Sequence, residues 1–129
     1  MKMKVKFSFD AGVVTGELVD NHIVREIARY LPIKETAKVW GRELYFFVEM
    51  KVPIEDGKEL VSVGDITYWP DGPAICLFFG PTPISRNAEI RAYSPVSVIG
   101  RLDAGYAEIL EKVKDGDQVT MAELTKGGA

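Results

Sequence analysis

Ile66-Thr67-Tyr68-Trp69-Pro70-Asp71-Gly72-Pro73-Ala74-Ile75-Cys76-Leu77-Phe78-Phe79 is the stretch on which the fold turns. Its first four residues are β-branched or aromatic, Pro70-Asp71-Gly72-Pro73 is turn chemistry, and Ala74 to Phe79 is apolar without a break. Two strands joined by a turn follow, the second covered on both faces. Gly80-Pro81-Thr82-Pro83 then stops the second strand abruptly. Upstream, Thr36 to Trp40 and Arg42 to Met50 read as strands around Gly41. In the second of these, Leu44, Phe46, Val48 and Met50 share one face. Glu43, Tyr45, Phe47 and Glu49 share the other, a mixture suited to a barrel wall or a pocket edge. Val5, Phe7 and Phe9 alternate with Lys4, Lys6 and Ser8, Asp10-Ala11-Gly12 turns the chain, and Val13 to Leu18 returns as a strand.

Downstream, Val96 to Ile99 and Asp117 to Leu124 are further strands, whereas residues 84–94 look irregular and exposed and Ile54 to Lys58 forms a solvated loop. Two segments carry helical spacing. Ile23, Val24, Ile27, Ala28 and Leu31 form one amphipathic face, with Asp20 or Asn21 as N-cap and Pro32 as the stop. Tyr106, Ile109, Leu110 and Val113 form the other, with Asp103 at its start and Gly116 at its end. About eight short strands and two helices predict a mainly β chain, a β-barrel capped by two short helices. A single domain over residues 1–125 is expected, followed by a flexible tail at 126–129.

Composition narrows the classes. With 47% apolar and 27% charged residues the chain is globular rather than disordered. No run approaches the roughly 18 apolar residues of a membrane helix, so no membrane partner is expected. A net charge of −3 offers no electrostatic basis for binding nucleic acid. The single cysteine, Cys76, has no disulfide partner, and with one histidine, His22, it rules out the usual Cys/His zinc arrays. Cys76 reads as a small buried hydrophobe, and His22 as a surface residue. The N-terminus has no long apolar core, which predicts a cytoplasmic protein. No phosphate-cradling glycine motif or calcium loop is found, so neither cofactor nor metal is expected.

The order of parts resembles cyclophilin, an eight-stranded barrel with a helix over each end, and Val98-Ile99-Gly100-Arg101-Leu102-Asp103-Ala104-Gly105 resembles its strand-to-helix run. More closely, the chain resembles a family of small, atypical cyclophilin-like proteins of bacteria and archaea with no assigned activity. Trp40 to Phe46, Gly64 to Pro70, Phe78 to Ser85 and Ser94 to Gly100 carry that resemblance, in register over most of residues 40–100. The resemblance implies a closed eight-stranded cyclophilin-like barrel with two short capping helices. Isomerase chemistry would fall to Arg42, on roughly the strand where cyclophilin carries its catalytic arginine. The phenylalanine, glutamine and histidine partners of that arginine have no copies here, so the isomerase constellation is incomplete.

The expected function is therefore a non-catalytic binding module for a peptide or small metabolite at an aromatic and proline-lined surface. Its candidate ligand-binding residues are Arg42, Glu43, Tyr45, Tyr68, Trp69, Phe79 and Thr82. Glu43 and Tyr45 lie two residues apart on one strand face, so both can enter one pocket. Tyr68, Trp69, Phe79 and Thr82 sit at strand ends, which form the mouths of small barrels. Arg86, Arg91 and Arg101 read as solvated or ion-paired. Two alternatives stand beside this reading: a weak peptidyl-prolyl isomerase using Arg42, and a structural or docking subunit. The chain is expected as a monomer or homodimer.

Overall fold

Alternation in the sequence sets the strands, and the computed structural model, which describes residues 2–124, arranges them as one antiparallel sheet curled around an apolar core. Strands β1 (Met3–Phe9) and β2 (Gly12–Leu18) form the opening hairpin, with Val5, Phe7 and Phe9 inward. Helix α1 (His22–Ala28) follows, capped by the Asn21 side chain, whose Oδ1 accepts from the Val24 N–H at 2.9 Å. Its Ile23, Val24 and Ile27 pack into the core. The next strands are β3 (Ile33–Thr36), β4 (Lys38–Trp40), β5 (Glu43–Phe47) and β6 (Lys58–Val61). They are followed by β7 (Asp65–Trp69), β8 (Ala74–Phe78), β9 (Ile90–Leu102), helix α2 (Tyr106–Leu110) and β10 (Gln118–Glu123). The tail predicted at 126–129 lies outside the described residues.

The sheet runs β3-β10-β1-β2-β9-β7-β8-β5-β4, with β6 attached to β9 off this path. Its two edge strands, β3 and β4, are consecutive in the chain and separated by Ala37 alone. The edges therefore meet through the covalent chain and not through a hydrogen-bonded ladder. The mainly β architecture with two short helices stands, and the eight-stranded barrel is supported in part: ten strands form one curled sheet that hydrogen bonds do not close. Ala37 is fully buried, and its N–H and C=O are satisfied by Asp117 O and Gly116 N at 2.7 and 2.8 Å. That pairing removes the cost of leaving backbone polar groups buried and unbonded at the corner.

Strands β5, β7 and β8 are covered twice. Leu44, Phe46, Ile66, Tyr68, Ile75 and Leu77 point into the main core, where the Phe7 and Phe46 rings meet at 6.2 Å. The alternate residues Ala74, Cys76 and Phe78 pack outward with Ala92 and Val96 in a second, smaller cluster. The uninterrupted apolar run of β8 is thus explained, since all five residues are buried. Each large apolar side chain buried this way contributes about 1.5–3 kcal/mol.

The outer cover is the first half of β9, which includes part of the segment that the sequence marks as irregular. That long strand serves two layers. Its second half pairs with β2 and β7, and its first half leaves the sheet to pair with β6. The β6 ladder shifts between Lys58↔Val96 and Leu60↔Arg91, so Ala92 to Pro95 bulge from it. This bulge hides the strand in the sequence, because it breaks the two-residue alternation. Helix α2 also differs from expectation. Asp103 does not cap it; its carboxylate accepts the Thr15 hydroxyl at 2.6 Å, and Gly105, at φ 95°, takes the N-cap position.

Candidate functional site

The site grows out of the double covering. Register pairs Trp40 with Glu43 and Glu43 with Phe78, Tyr45 with Cys76, and Trp69 with Ala74. Directly opposed residues share a sheet face, so Trp40, Glu43, Tyr45, Cys76 and Trp69 all project outward, away from the core. The first half of β9 lies over them and adds Ala92 and Tyr93 from the bulge and Val96 just after it. Together they line an open cavity of about 230 Å³. An engineered apolar cavity of about 150 Å³ holds benzene, so this one admits a small monocyclic molecule with a substituent.

Four aromatic rings form its walls in a chain of edge-on contacts. Trp40 meets Tyr93 at 6.0 Å, Tyr93 meets Trp69 at 6.1 Å, and Trp69 meets Tyr45 at 6.4 Å. Tyr93, at 70% exposure, is the outer lip. Trp69 is fixed by a relay: its indole N–H donates to Ser94 Oγ at 2.6 Å, and that hydroxyl donates to Asp71 at 2.8 Å.

Glu43 is the polar group of this cavity. It is 6% exposed, and its Oε1 has no hydrogen-bond partner. Burial pushes its carboxyl up to about 7, a rise that a hydrogen bond from the Cys76 thiol opposes. The Cys76 thiol is itself held well above its ordinary range, first by burial and then by the neighbouring Glu43 charge. It remains a thiol at neutral pH and is not an activated nucleophile. Tyr45 is raised too, by burial and then by Glu43. No lysine, arginine or histidine is among the lining residues.

Of the residues named from sequence, Glu43, Tyr45 and Trp69 come together here; Arg42, Tyr68, Phe79 and Thr82 do not. Tyr68 alternates with Trp69 and so points into the core, where its hydroxyl accepts from Val52 N–H and donates to Met50 O, both at 3.0 Å. Arg42, read from the sequence as the start of a strand, lies instead in the turn before β5, and its side chain is engaged away from the cavity. Its guanidinium pairs with Glu111 at 3.0 Å and sits 5.4 Å from the centre of the Phe79 ring. Thr82 is buried in a loop, donating to Arg91 O at 2.5 Å. Arg91 and Arg101 are ion-paired, with Glu59 and Glu89 and with Asp65 respectively. Among the described residues no group of three or more His, Cys, Asp or Glu is placed to hold a metal.

Trp40, Tyr93 and the outward role of Cys76 were not read from the sequence. Trp40 had a signal. Gly41, at φ 62°, and Arg42 make a two-residue turn, which sets Trp40 opposite Glu43 on one face. Tyr93 had none, because only the β9 bulge brings it over the sheet.

The candidate site thus lies on the outer wall of a curled antiparallel sheet with helices α1 and α2 packed against it. The sequence profile of the cyclophilin-like family matches residues 3–122, and the chain belongs to that family. It is similar to the solution structure of the hypothetical protein AF2241 from Archaeoglobus fulgidus, at 41% identity over 95% of each chain and a TM-score of 0.82. No curated protein matches the chain significantly.

Proposed function

We propose that the chain is a non-catalytic binding module that takes a small ligand, a metabolite or a side chain of a peptide, into the aromatic cavity on the outer wall of the curled sheet. The observation that carries this reading is Glu43: a carboxylate buried among four aromatic rings with one oxygen unbonded. Leaving a charged acceptor unsatisfied costs more than a neutral one, and proteins retain such groups where a ligand completes them. The cavity contributes no activated nucleophile, which supports binding over covalent chemistry. Screening a panel of monocyclic fragments by ¹H–¹⁵N NMR tests it. Ligands should move the Trp40 and Trp69 indole signals and the Ala92 and Val96 amides, and lose those effects in Tyr93→Ala. Hits that cluster elsewhere, or none at millimolar concentration, would refute it.

A further inference from the structure

The reading of the cavity as a binding site leaves the chemistry of its ligand open, and three observations restrict it. The first is the unpartnered Glu43 Oε1, an acceptor that protein groups do not satisfy. Glu43 lines the cavity, so a ligand that satisfies its carboxyl group must bring an N–H or O–H. The second is charge. Every titratable lining residue, Glu43, Tyr45, Cys76 and Tyr93, is an acid, and the remaining walls are indoles and small apolar side chains. Aromatic π-systems attract cations, most strongly where water is excluded, and they repel anions. A ligand carboxylate or phosphate would face Glu43 with like charge and no counter-ion among the lining residues. The third is size, since about 230 Å³ holds one ring and a short polar arm, not a nucleotide or an extended peptide.

We propose, resting on that binding reading, that the ligand is a small primary or secondary organic ammonium ion, which donates an N–H to the Glu43 carboxylate while Trp40, Tyr45, Trp69 and Tyr93 enclose its charge and apolar body. A neutral alcohol satisfies the free oxygen but wastes the negative field of the walls. A quaternary ammonium suits the walls but leaves the oxygen unbonded. The protonated amine alone answers both. The raised carboxyl of Glu43 agrees with this, because it marks a carboxylate held without its counter-ion.

Benzylamine and benzyl alcohol differ little in shape, and only the first is charged at neutral pH. Trp40 and Trp69 are the two tryptophans of the chain, so intrinsic fluorescence reports on this cavity directly. Titrating the full chain at pH 8, benzylamine should bind about tenfold or more tightly than benzyl alcohol. Glu43→Gln should remove that preference while still binding benzyl alcohol. Equal binding of the two by the wild-type chain, or tighter binding of benzoate than of benzylamine, overturns the ammonium proposal and leaves the cavity as a binding site. Binding of none of the three, with the NMR fragment panel also silent, overturns both. The wild-type comparison needs no variant, so a misfolded Glu43→Gln chain would not protect the proposal.

Discussion

Replacing Glu43 by glutamine should make the stability difference between variant and wild type depend on pH in one specific way. Glu43 is raised by burial from an ordinary 4.5 to about 7. In the unfolded chain it loses its proton near the ordinary value, so between these limits the folded state binds more protons than the unfolded one. Stability therefore falls as pH rises through that window. Below about pH 4.5 both states are protonated and Glu43 costs nothing electrostatically; above about pH 7 the full penalty is present. At about 1.4 kcal/mol for each tenfold difference in proton affinity, the penalty comes to about 3 kcal/mol. Cys76 from β8, Tyr45 from β5 itself, Tyr93 from β9, Lys38 from β4, which is directly opposed to Tyr45, and Asp115, which acts on Tyr45, are the titratable groups around it. Glu43 raises both Cys76 and Tyr45, but burial already holds the thiol above its ordinary 9.0 and the phenol above its ordinary 10.0, so neither loses its proton between pH 4.5 and 8 and the difference reports Glu43.

Urea unfolding of both proteins at pH 4.5, 6, 7 and 8, followed by circular dichroism, isolates the effect. The glutamine side chain of the variant has its own constant cost, which sets the offset. The slope carries the prediction: the variant should gain about 3 kcal/mol on the wild type between pH 4.5 and 8. A difference constant to within about 0.5 kcal/mol would show that Glu43 is solvated or paired, and the electrostatic account of the cavity would fail.

Benzylamine affinity should rise about tenfold from pH 6 to pH 8, following the ionised fraction of a carboxyl centred at about 7, with benzyl alcohol unchanged; a flat fluorescence titration would contradict it. Tyr68→Phe strips the hydroxyl from two buried backbone groups, Val52 N–H and Met50 O, and should cost about 2 kcal/mol in denaturant unfolding without moving ligand affinity. Arg42→Ala should cost only about 1 kcal/mol, since an exposed ion pair with Glu111 and one ring contact are lost. Because that guanidinium is engaged away from the cavity, NMR exchange spectroscopy on X-Pro peptides should show no acceleration; faster exchange that vanishes in Arg42→Ala would restore the isomerase alternative.

Much of this was legible in the residues themselves. Alternation in β1, β2, β5 and β7, the double-sided apolar run of β8, and the Asn21 cap before Ile23, Val24 and Ile27 are local signals, and local sterics and burial decide them. The placement of Glu43 and Tyr45 on one face, opposite Leu44 and Phe46, follows from the two-residue period alone. Trp69 opposing Tyr68 follows in the same way, although the sequence could not say which of the two faces the core. That choice needed the neighbouring strands, because a run buried on both sides carries no polar face to mark the outside.

Tertiary structure alone decided the rest. The bulge at Ala92 to Pro95 carries Tyr93 across the sheet and turns a flat aromatic face into a cavity. The meeting of β3 and β4 at Ala37 ends the sheet without a closing ladder. Glu43 reads in sequence as a carboxylate able to enter a pocket beside Tyr45; only the covering strand removes its water and leaves Oε1 unbonded. Period and propensity are properties of neighbours along the chain, whereas desolvation depends on residues far apart in sequence, such as Glu43 and Tyr93, being folded against one another.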